Sequence, residues 1–283
     1  MELLFETRPE IAHTEGKLYF VQCRPHLHPE PVLEPSSFSD GAGASIYGTV
    51  LRDGGRYRMW YQAWPRDWGG QDVDLVGYAE SEDGIAWNKP RLNLVDYGPG
   101  ANNLCNLGFH SPSVFIDPSA SPECRYRATG FTAPGRTGAR AQVRHAGYYT
   151  AHSPDGLSWT LDADTPRWAS GDVITSAYHP GQRRAITSCK YSPRVGGFRR
   201  RSIWNAELVD GAWSSAVPAL LPDEYDDICA VARGYASADY YGMGMMPAGR
   251  GTVGFLWRFF HALPRTSGSE TGVFGAVDIS LVY

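Results

Sequence analysis

Apolar and polar residues alternate over short stretches of this chain with a period of two, which is typical of half-buried β-strands. Clusters of Gly, Pro, Asp and Ser, such as RDGG, PRDWGG and PAGRG, separate the stretches and favour tight turns. Helical periodicity is nearly absent, so we expect an all-β fold. The pattern predicts strands at residues 17–22, 45–51, 56–62, 75–80, 113–116, 126–131, 147–152, 176–179, 184–190, 200–207, 228–235, 240–245, 252–257 and 275–283.

One strand-and-turn pattern returns along the chain. The strings SEDGIAW (81–87) and SPDGLSW (153–159) both read S-x-D-G-x-x-W, and a degenerate copy, VDGAW, ends at residue 213. Asp and Gly favour the tight turn, and the Ser or Asp side chain can accept hydrogen bonds from backbone N–H groups. We expect the Trp to pack between neighbouring units, so we interpret the motif as structural.

This repeat predicts a β-propeller. Propeller blades are four-stranded sheets of about 40–50 residues, more with insertions. For 283 residues, the spacing predicts a single domain of five four-stranded antiparallel blades around a central funnel. The last predicted strand resembles those that precede the earlier turns, so we expect an N-terminal strand, at 3–6 or 17–22, to close the last blade.

Composition fits many short strands joined by turns, with 32 Gly, 20 Pro and 13% aromatic residues. A net charge of -4 gives no general attraction to nucleic acid or to an anionic membrane. The one basic run, Arg199 to Arg201 in FRRRS, is predicted to be a solvated strand face.

The five cysteines are scattered and include no C-x-x-C pair, so they indicate neither a disulfide framework nor a zinc knuckle. Reduced thiols, an N-terminus without a signal peptide and the lack of a membrane-length apolar run predict a soluble cytoplasmic protein. No P-loop, dinucleotide fingerprint or H-E-x-x-H motif occurs, so no cofactor is expected. His26, His28 and Glu30 could hold a metal, but their Pro-rich segment favours a packing or solvated role, and we predict no metal site.

Several stretches resemble the five-bladed propeller glycosidases, and most closely the uncharacterised bacterial proteins described as family-32-like glycosyl hydrolases. The resemblance runs through HPEPVL (28–33), YGTVLRD (47–53), YRMWY (57–61), SPSVFIDP (111–118), RYR (125–127), the S-x-D-G-x-x-W turns and AVDISLVY (276–283). It therefore covers nearly the whole chain. It implies an active site in the central funnel, to which the inner strands of successive blades supply acidic or polar residues.

Glycoside hydrolysis needs two carboxylates, one protonated and one ionised, on either side of the scissile bond. Asp40 precedes the first predicted inner strand and is one candidate, although an Asp-Gly turn explains it equally well. The string FHSPSVF (109–115) stands where the resemblance implies an F-R-D-P motif, so His110 replaces the Arg and Ser111 replaces the acid. His110 could be a sugar ligand or a general acid/base, or a turn histidine bonded to the backbone.

The resemblance also implies that Asp172, before the third predicted inner strand, matches a position that is often acidic. The cluster DEYDDI (223–228) is expected to open the fourth inner strand, and there Asp227 is the preferred catalytic candidate, with Glu224 or Asp226 as its neighbour. Neighbouring like charges would raise one pKa and provide the protonated partner. A solvated acidic turn is the alternative.

Further candidates would bind the substrate rather than react with it. Arg258 and His261 follow a predicted strand of the fifth blade and could bind hydroxyls or an anion. Trp64 could stack on a sugar ring. With Ser111, Glu224 and Asp226, these residues complete the predicted site.

Two functions compete at this point. The first is a glycoside hydrolase-like enzyme that acts on a small glycoside, an oligosaccharide or a sugar-containing metabolite through funnel carboxylates. The alternative is a propeller that binds a carbohydrate or catalyses an isomerisation, elimination or cyclisation, which the missing acid at Ser111 favours. Two carboxylates facing each other at roughly 5–10 Å would distinguish the hydrolase.

Overall fold

A computed structural model of the chain describes residues 26–264 and 274–282. The chain divides into two units, residues 1–32 and 33–283, and every strand named below belongs to the second. The predicted strand at 17–22 and the alternative closing strand at 3–6 lie outside the described residues. All other predicted strands except 228–235 are confirmed, with small shifts at their ends.

The first two blades are four-stranded antiparallel sheets in which consecutive strands pair side by side. Blade 1 contains β1 (Gly43–Asp53), β2 (Arg56–Trp64), β3 (Val76–Ser81) and β4 (Leu104–Cys105). Blade 2 contains β5 (His110–Ile116), β6 (Tyr126–Thr132), β7 (Gly147–Ser153) and β8 (Thr160–Leu161), with a 3-10 turn at Pro122–Cys124.

Blade 3 carries an insertion, and blade 4 has three described strands. Blade 3 contains β9 (Ile174–His179), β10 (Arg184–Tyr191), the small hairpin β11 (Arg194–Val195) and β12 (Phe198–Arg199), then β13 (Ser202–Val209), β14 (Ala212–Trp213) and β15 (Val217–Leu220). Both β14 and β15 pair with β13. Blade 4 contains β16 (Ser237–Ala248), β17 (Gly251–His261) and β18 (Gly275–Val282).

The fold is an all-β propeller. Its described residues form four blades, so the predicted number of five blades is wrong. The first strands of the blades begin at residues 43, 110, 174 and 237. Successive blades are therefore roughly 65 residues apart, longer than the 40–50 residues on which the prediction rested. Long connections, such as those between β3 and β4 and between β6 and β7, account for the difference.

Hydroxyl groups join the first strand of each blade to the next. Thr49 Oγ1 in β1 accepts a hydrogen bond of 2.9 Å from the Val114 N–H in β5. Ser113 Oγ in β5 accepts one of 2.8 Å from the Ser176 N–H in β9, and the Thr175 hydroxyl donates to the backbone of β16. The inner strands are thus fixed in the order β1, β5, β9, β16 around the funnel.

The repeated motif is a turn, as predicted. Ser81 Oγ accepts a hydrogen bond of 2.9 Å from the Gly84 N–H, and Asp83 Oδ1 accepts 2.8 Å bonds from the two N–H groups that follow Gly84. The Trp87 indole donates to the Gly84 carbonyl at 3.0 Å. Residues 153–159 repeat this pattern, and φ is positive at the glycine of each copy.

Two of the motif tryptophans pack between blades, as predicted. Trp159 is 2% exposed and shares a core cluster with Trp60 of blade 1 and Val114 of blade 2. Trp213 of blade 3 contacts Phe115 of blade 2, with ring centroids 6.2 Å apart. These aromatic contacts fill space between neighbouring blades.

Residues 228–235 do not form the predicted strand, because the acidic cluster before them begins a helix. Helix α1 spans Glu224–Ala232. The Asp223 carboxylate accepts from the N–H of Tyr225 at 2.8 Å and of Asp226 at 3.3 Å, and the Asp226 carboxylate accepts from the Asp223 N–H at 2.9 Å. This capping box satisfies N–H groups that a strand start would leave to solvent. Over the two described ranges, no helix is both long and apolar enough to cross a bilayer.

Candidate functional site

A cavity of about 930 Å³ lies between blades 3 and 4, on the funnel side. Its volume is in the range of small-molecule sites. The first strand of blade 1 reaches it through Tyr47, and blades 3 and 4 supply the rest of its wall. The lining residues are Tyr47, Ala169, Ser170, Gly171, Asp172, Lys190, Tyr191, Ser192, Pro193, Arg199, Arg201, Trp204, Tyr241, Phe259 and Val277.

Asp172 is the centre of the polar contacts in this cavity. Its Oδ2 accepts hydrogen bonds from Lys190 Nζ at 2.5 Å and from the Tyr241 hydroxyl at 2.9 Å. Its Oδ1 lies 3.4 Å from His110 Nε2. Tyr47 packs on His110, with ring centroids 5.8 Å apart. Blades 2, 3 and 4 therefore meet at one carboxylate, and Tyr47 of blade 1 packs on the neighbouring His110.

Local backbone irregularities place these side chains. The pairing register shifts in β1 between Ser45 and Thr49, around Tyr47, in β5 between His110 and Ser113, and in β16 between Tyr240 and Gly242. Such bulges redirect side chains and are frequent beside active sites. In the segment before β9, Asp172 itself has φ +87, a conformation that non-glycine residues rarely adopt. Strain of this kind concentrates at functional sites.

The charge states of the central groups follow from their surroundings. Burial works to raise the pKa of Asp172, but bonds from His110, Lys190 and Tyr241 and the charge of Lys190 outweigh it and hold that pKa well below 3.8. Burial, followed by the charge of Asp172, raises the pKa of Tyr241 and of Tyr47. At neutral pH, Asp172 is therefore ionised and both phenols are protonated.

Aromatic rings and arginines also line the cavity. Tyr191 and Trp204 are stacked, with centroids 4.7 Å apart and an interplanar angle of 27°. The Arg201 guanidinium lies 5.4 Å from the ring centroids of both Tyr241 and Phe259. Aromatic faces next to polar groups suit the two sides of a sugar ring.

The basic run is not the solvated strand face that the sequence predicted. Arg200 and Arg201 are only 4% and 7% exposed, whereas Arg199 is exposed at the cavity. Arg200 points away from the cavity, where its guanidinium donates to Asp227 at 2.9 Å and lies 3.4 Å from Asp239. The prediction failed because the pairing of these acids with Arg200 depends on contacts between blades 3 and 4.

A second buried carboxyl, Asp74, interacts electrostatically with His110. It is 0% exposed, and it accepts from Thr132 Oγ1 at 2.6 Å and from Arg136 Nε at 2.7 Å. Burial raises its pKa to about 6 despite these bonds. Asp74 does not line the cavity, so it is not in contact with a ligand bound there.

Of the residues predicted to be catalytic, the structure brings together Asp172 and His110. Asp40 is 0% exposed and is placed elsewhere, at the start of blade 1. It accepts from the Ser37 N–H at 2.8 Å, the Tyr61 hydroxyl at 2.9 Å and Lys89 Nζ at 2.5 Å. These contacts make Asp40 a structural anchor, so its proposed position at the funnel mouth is corrected.

The acidic cluster at 223–228 also lies away from the cavity. Asp227 accepts from Arg200 and, at 3.0 Å, from the Ala238 N–H, so it ties α1 to blade 4. Asp226 completes the helix cap and accepts from the Tyr240 hydroxyl at 2.8 Å, and Glu224 is exposed in the first turn of α1. The cluster was misplaced because it begins a helix and not the fourth inner strand.

The predicted binding residues have other partners. Arg258 pairs with Asp278 across β17 and β18 at 2.9 Å, and His261 is buried against Asp239 at 2.9 Å. Trp64 packs on Trp68 with centroids 4.8 Å apart. Ser111 is buried, and its N–H donates to Gln62 Oε1 at 3.3 Å. None of these predicted residues lines the cavity.

Among the described lining residues, Asp172 is the single carboxylate. The opposed carboxylate pair of ordinary glycosidases is therefore not formed by the described cavity wall. The described wall offers one ionised carboxylate, protonated phenols and three cationic side chains, and the imidazole of His110 lies beside the carboxylate without lining the cavity.

No family model matches the chain. Two uncharacterized proteins from strains of Mycobacterium tuberculosis are each 31% identical to it over 163 residues. The match covers 53% of this chain and 48% of each relative, so it spans about half the length of these relatives.

Solved structures similar to this chain include glycoside hydrolases. A glycosyl hydrolase from Bacteroides ovatus has a TM-score of 0.46 at 12% identity, covering 89% of this chain and 72% of that one. A GH43_12 protein from a capybara gut metagenome scores 0.48 at 11% identity, covering 88% and 42%. The GH32 β-fructofuranosidase of Bombyx mori scores 0.47 at 12% identity, covering 78% and 42%. All these scores are below 0.5, so the reaction of this chain has to be argued from its own site.

Proposed function

We propose that the protein binds a small glycoside or sugar-containing metabolite in this cavity and acts on it in a glycosidase-like reaction with Asp172 as the reactive carboxylate. The observation that carries the proposal is the convergence of Tyr47, His110, Lys190 and Tyr241 on Asp172 beside a stacked aromatic wall. The four side chains come from different strands, and bulges in β1, β5 and β16 lie at Tyr47, His110 and Tyr241.

The charge states assign the roles. Ionised Asp172 can accept a proton from water or from a substrate hydroxyl, or stabilise positive charge at an anomeric carbon. It cannot be the acid, because its pKa is held far below neutral. Two side chains with N–H or O–H groups lie against the same carboxylate: the Tyr241 hydroxyl donates to Asp172 at 2.9 Å, and His110 Nε2 lies 3.4 Å from it. An Asp–His–Tyr set thus replaces the two-carboxylate arrangement.

The test compares wild type with Asp172→Asn on a panel of 4-nitrophenyl glycosides that includes neutral sugars and uronides. Asn tolerates positive φ and keeps the side-chain shape, so the variant removes mainly the charge. Loss of a general base is expected to lower kcat by roughly 10²–10⁴. Asp210→Asn is the matched control, because Asp210 also has positive φ but lies in an exposed turn. Equal turnover by wild type and Asp172→Asn would contradict the proposed role.

A second function is favoured by one observation: the carboxylate of Asp172 is already bonded by Lys190, Tyr241 and His110. A carboxylate so well satisfied also suits a binding protein, in which it would orient sugar hydroxyls without reacting. In that case ligands raise the melting temperature of wild type and no product forms with any of them. Product formation that depends on Asp172 rules this function out.

A further inference from the structure

We propose that Lys190 is a positioning residue of this site, which keeps the Asp172 carboxylate ionised and so makes it a base instead of an acid. This inference rests on the proposed function and deepens it, because it names the residue that sets the role of Asp172. Lys190 lies near the end of β10, is only 7% exposed and lines the cavity. Its ammonium group is paired with the single carboxylate of the described lining.

The two oxygens of the Asp172 carboxylate have different surroundings. Oδ2 accepts a hydrogen bond from Lys190 Nζ at 2.5 Å and another from the Tyr241 hydroxyl at 2.9 Å. Oδ1 faces His110 Nε2 at 3.4 Å, which is longer than the roughly 2.7–3.2 Å of ordinary N–H···O bonds. The carboxylate is therefore held mainly through Oδ2, and Lys190 forms the shortest of these contacts.

The ammonium charge of Lys190 opposes the effect of burial on Asp172. Burial favours the protonated carboxyl and works to raise the pKa of Asp172, whereas the contacts from His110 and Lys190 lower it. Lysine is a cation throughout the neutral range, but histidine changes its charge there. An opposite charge within about 4–6 Å lowers the pKa of an aspartate by roughly 1–3 units. Without the ammonium group, Asp172 should therefore be protonated over a wider pH range.

Lys190 is also positioned by the ring of Tyr241. Its Nζ lies 4.8 Å from the centroid of that ring, a distance at which a cation is attracted to the aromatic face. The Tyr241 hydroxyl donates to the same Oδ2 that Lys190 contacts. Ring, ammonium group and carboxylate thus form one set of mutual contacts, which limits the positions that the Lys190 side chain can adopt.

The main chain at position 190 anchors the segment that carries Asp172. Ser170 Oγ donates to the Lys190 carbonyl at 2.5 Å, and the Tyr148 hydroxyl lies 3.1 Å from that carbonyl and 2.8 Å from the Gly171 carbonyl. These contacts hold the segment in which Asp172 has φ +87. Because they use backbone atoms of residue 190, a substitution there should leave them in place and remove mainly the ammonium group.

Other charged and titratable side chains also surround the Asp172 carboxylate. They include Tyr47, His110, Arg199, Arg201 and Tyr241. All of them are retained in the variants of Lys190 that follow, so a change in the titration of Asp172 can be assigned to position 190.

Carbon-13 NMR of the Asp172 side-chain carboxyl tests this role without any need for turnover. Protein labelled at aspartate Cγ is titrated, and the Asp172 signal is identified by its loss in Asp172→Asn. In wild type, the pKa of Asp172 is held well below 3.8, so the signal should stay that of a carboxylate down to the lowest pH at which the protein is folded.

In Lys190→Met, which removes both the charge and the donor, the midpoint should rise by roughly 1–3 units, into the pH range in which the protein is folded. A signal that stays that of a carboxylate over this whole range, as in wild type, overturns the proposal.

Two further variants separate the charge of Lys190 from its shape. Lys190→Arg keeps the charge and should preserve the wild-type titration. Lys190→Gln keeps a donor without the charge and should titrate like Lys190→Met, so it also keeps the test valid if the methionine variant does not fold. A Lys190→Arg protein that titrates like Lys190→Gln contradicts the role of the charge.

Lys89→Gln is the matched control. Lys89 is paired with the buried Asp40, also at 2.5 Å, but it lies outside the cavity lining. Its variant should therefore leave the Asp172 signal unchanged. If Lys89→Gln moves that signal as far as Lys190→Gln does, the shift comes from general destabilisation and the proposal is wrong.

Failure of the role proposed for Lys190 and failure of the proposed reaction give different results. Where both hold, the pH below which kcat/KM falls should move up by the same 1–3 units in Lys190→Gln. Turnover that depends on Asp172, with an unchanged pH profile and an unchanged NMR titration in Lys190→Gln, refutes the role of Lys190 alone. A raised NMR midpoint in Lys190→Gln, with no turnover of any glycoside by wild type, refutes the reaction and leaves the effect of Lys190 on Asp172 standing.

Discussion

Ionisation of Asp74 should lower the stability of the fold as pH rises through about 6. This carboxyl is fully buried beside Thr132 and Arg136, and burial raises its pKa from 3.8 to about 6. A raised pKa in an acid means that the folded state prefers the protonated form. The stabilising contribution is therefore fully present below pH 3.8 and is lost as pH rises through the folded-state pKa.

The magnitude follows from the difference between the two pKa values. A difference of roughly 2 units corresponds to about 3 kcal/mol in total, at 1.36 kcal/mol per unit. About 2 kcal/mol of this is lost between roughly pH 4.5 and 7.5, because the unfolded carboxyl is already mostly ionised at the lower pH. For a chain of this size, that loss corresponds to roughly 4–8 °C in melting temperature.

The assay compares melting temperatures of wild type and Asp74→Asn across this pH range. Asn is neutral throughout, so the difference between the two proteins isolates the ionisation of Asp74 from that of the other titrating groups. Asp72→Asn is the control: Asp72 also pairs with Arg136, at 2.8 Å, but its side chain is 77% exposed, so its variant should show no such trend. A difference between wild type and Asp74→Asn that stays constant to within about 1 °C over the pH range would refute the reasoning.

Two further substitutions test how the elements around the funnel are held. Gly48→Ala should prevent folding or lower the free energy of unfolding by several kcal/mol, because a Cβ there would lie 1.9 Å from the Trp60 carbonyl oxygen. Thermal denaturation measures this, and Gly244→Ala is the control that should be tolerated. Similar melting temperatures for the two variants would contradict the prediction. Asp40→Ala should lower the free energy of unfolding, measured by urea denaturation, by about 3–5 kcal/mol, because it leaves Lys89 without its carboxylate partner. A loss below about 1 kcal/mol would show that Asp40 does not anchor this part of the fold.

Features set by neighbouring residues could be predicted from the sequence. The period-two alternation located the strands, and S-x-D-G-x-x-W identified the turns, because the hydrogen bonds involved are local. The helix at 224–232 was missed although its signal was present, since Asp223 and Asp226 stand at the spacing of a capping box. The blade number was wrong because connection length, unlike turn type, is not encoded in a short motif.

Most of the site could not be predicted in this way. Tyr47, Lys190 and Tyr241 are far apart in sequence and meet only when the blades close around the funnel. Tyr47 lay in a predicted inner strand and Tyr241 in another predicted strand, which was a usable signal. A bulge lies at each of these positions, and alternation alone does not reveal a bulge. Asp172 and His110 were found because the resemblance assigned chemistry to their positions.

The basic run shows how the fold can give identical residues different functions. Arg199, Arg200 and Arg201 have the same chemistry, and their sequence context favoured one solvated face. Arg199 and Arg201 line the cavity, whereas Arg200 is paired with Asp227 and Asp239. The exposure of each arginine in this run is therefore decided by the contacts of its own side chain in the folded protein, and the run of like charges in the sequence does not reveal those contacts.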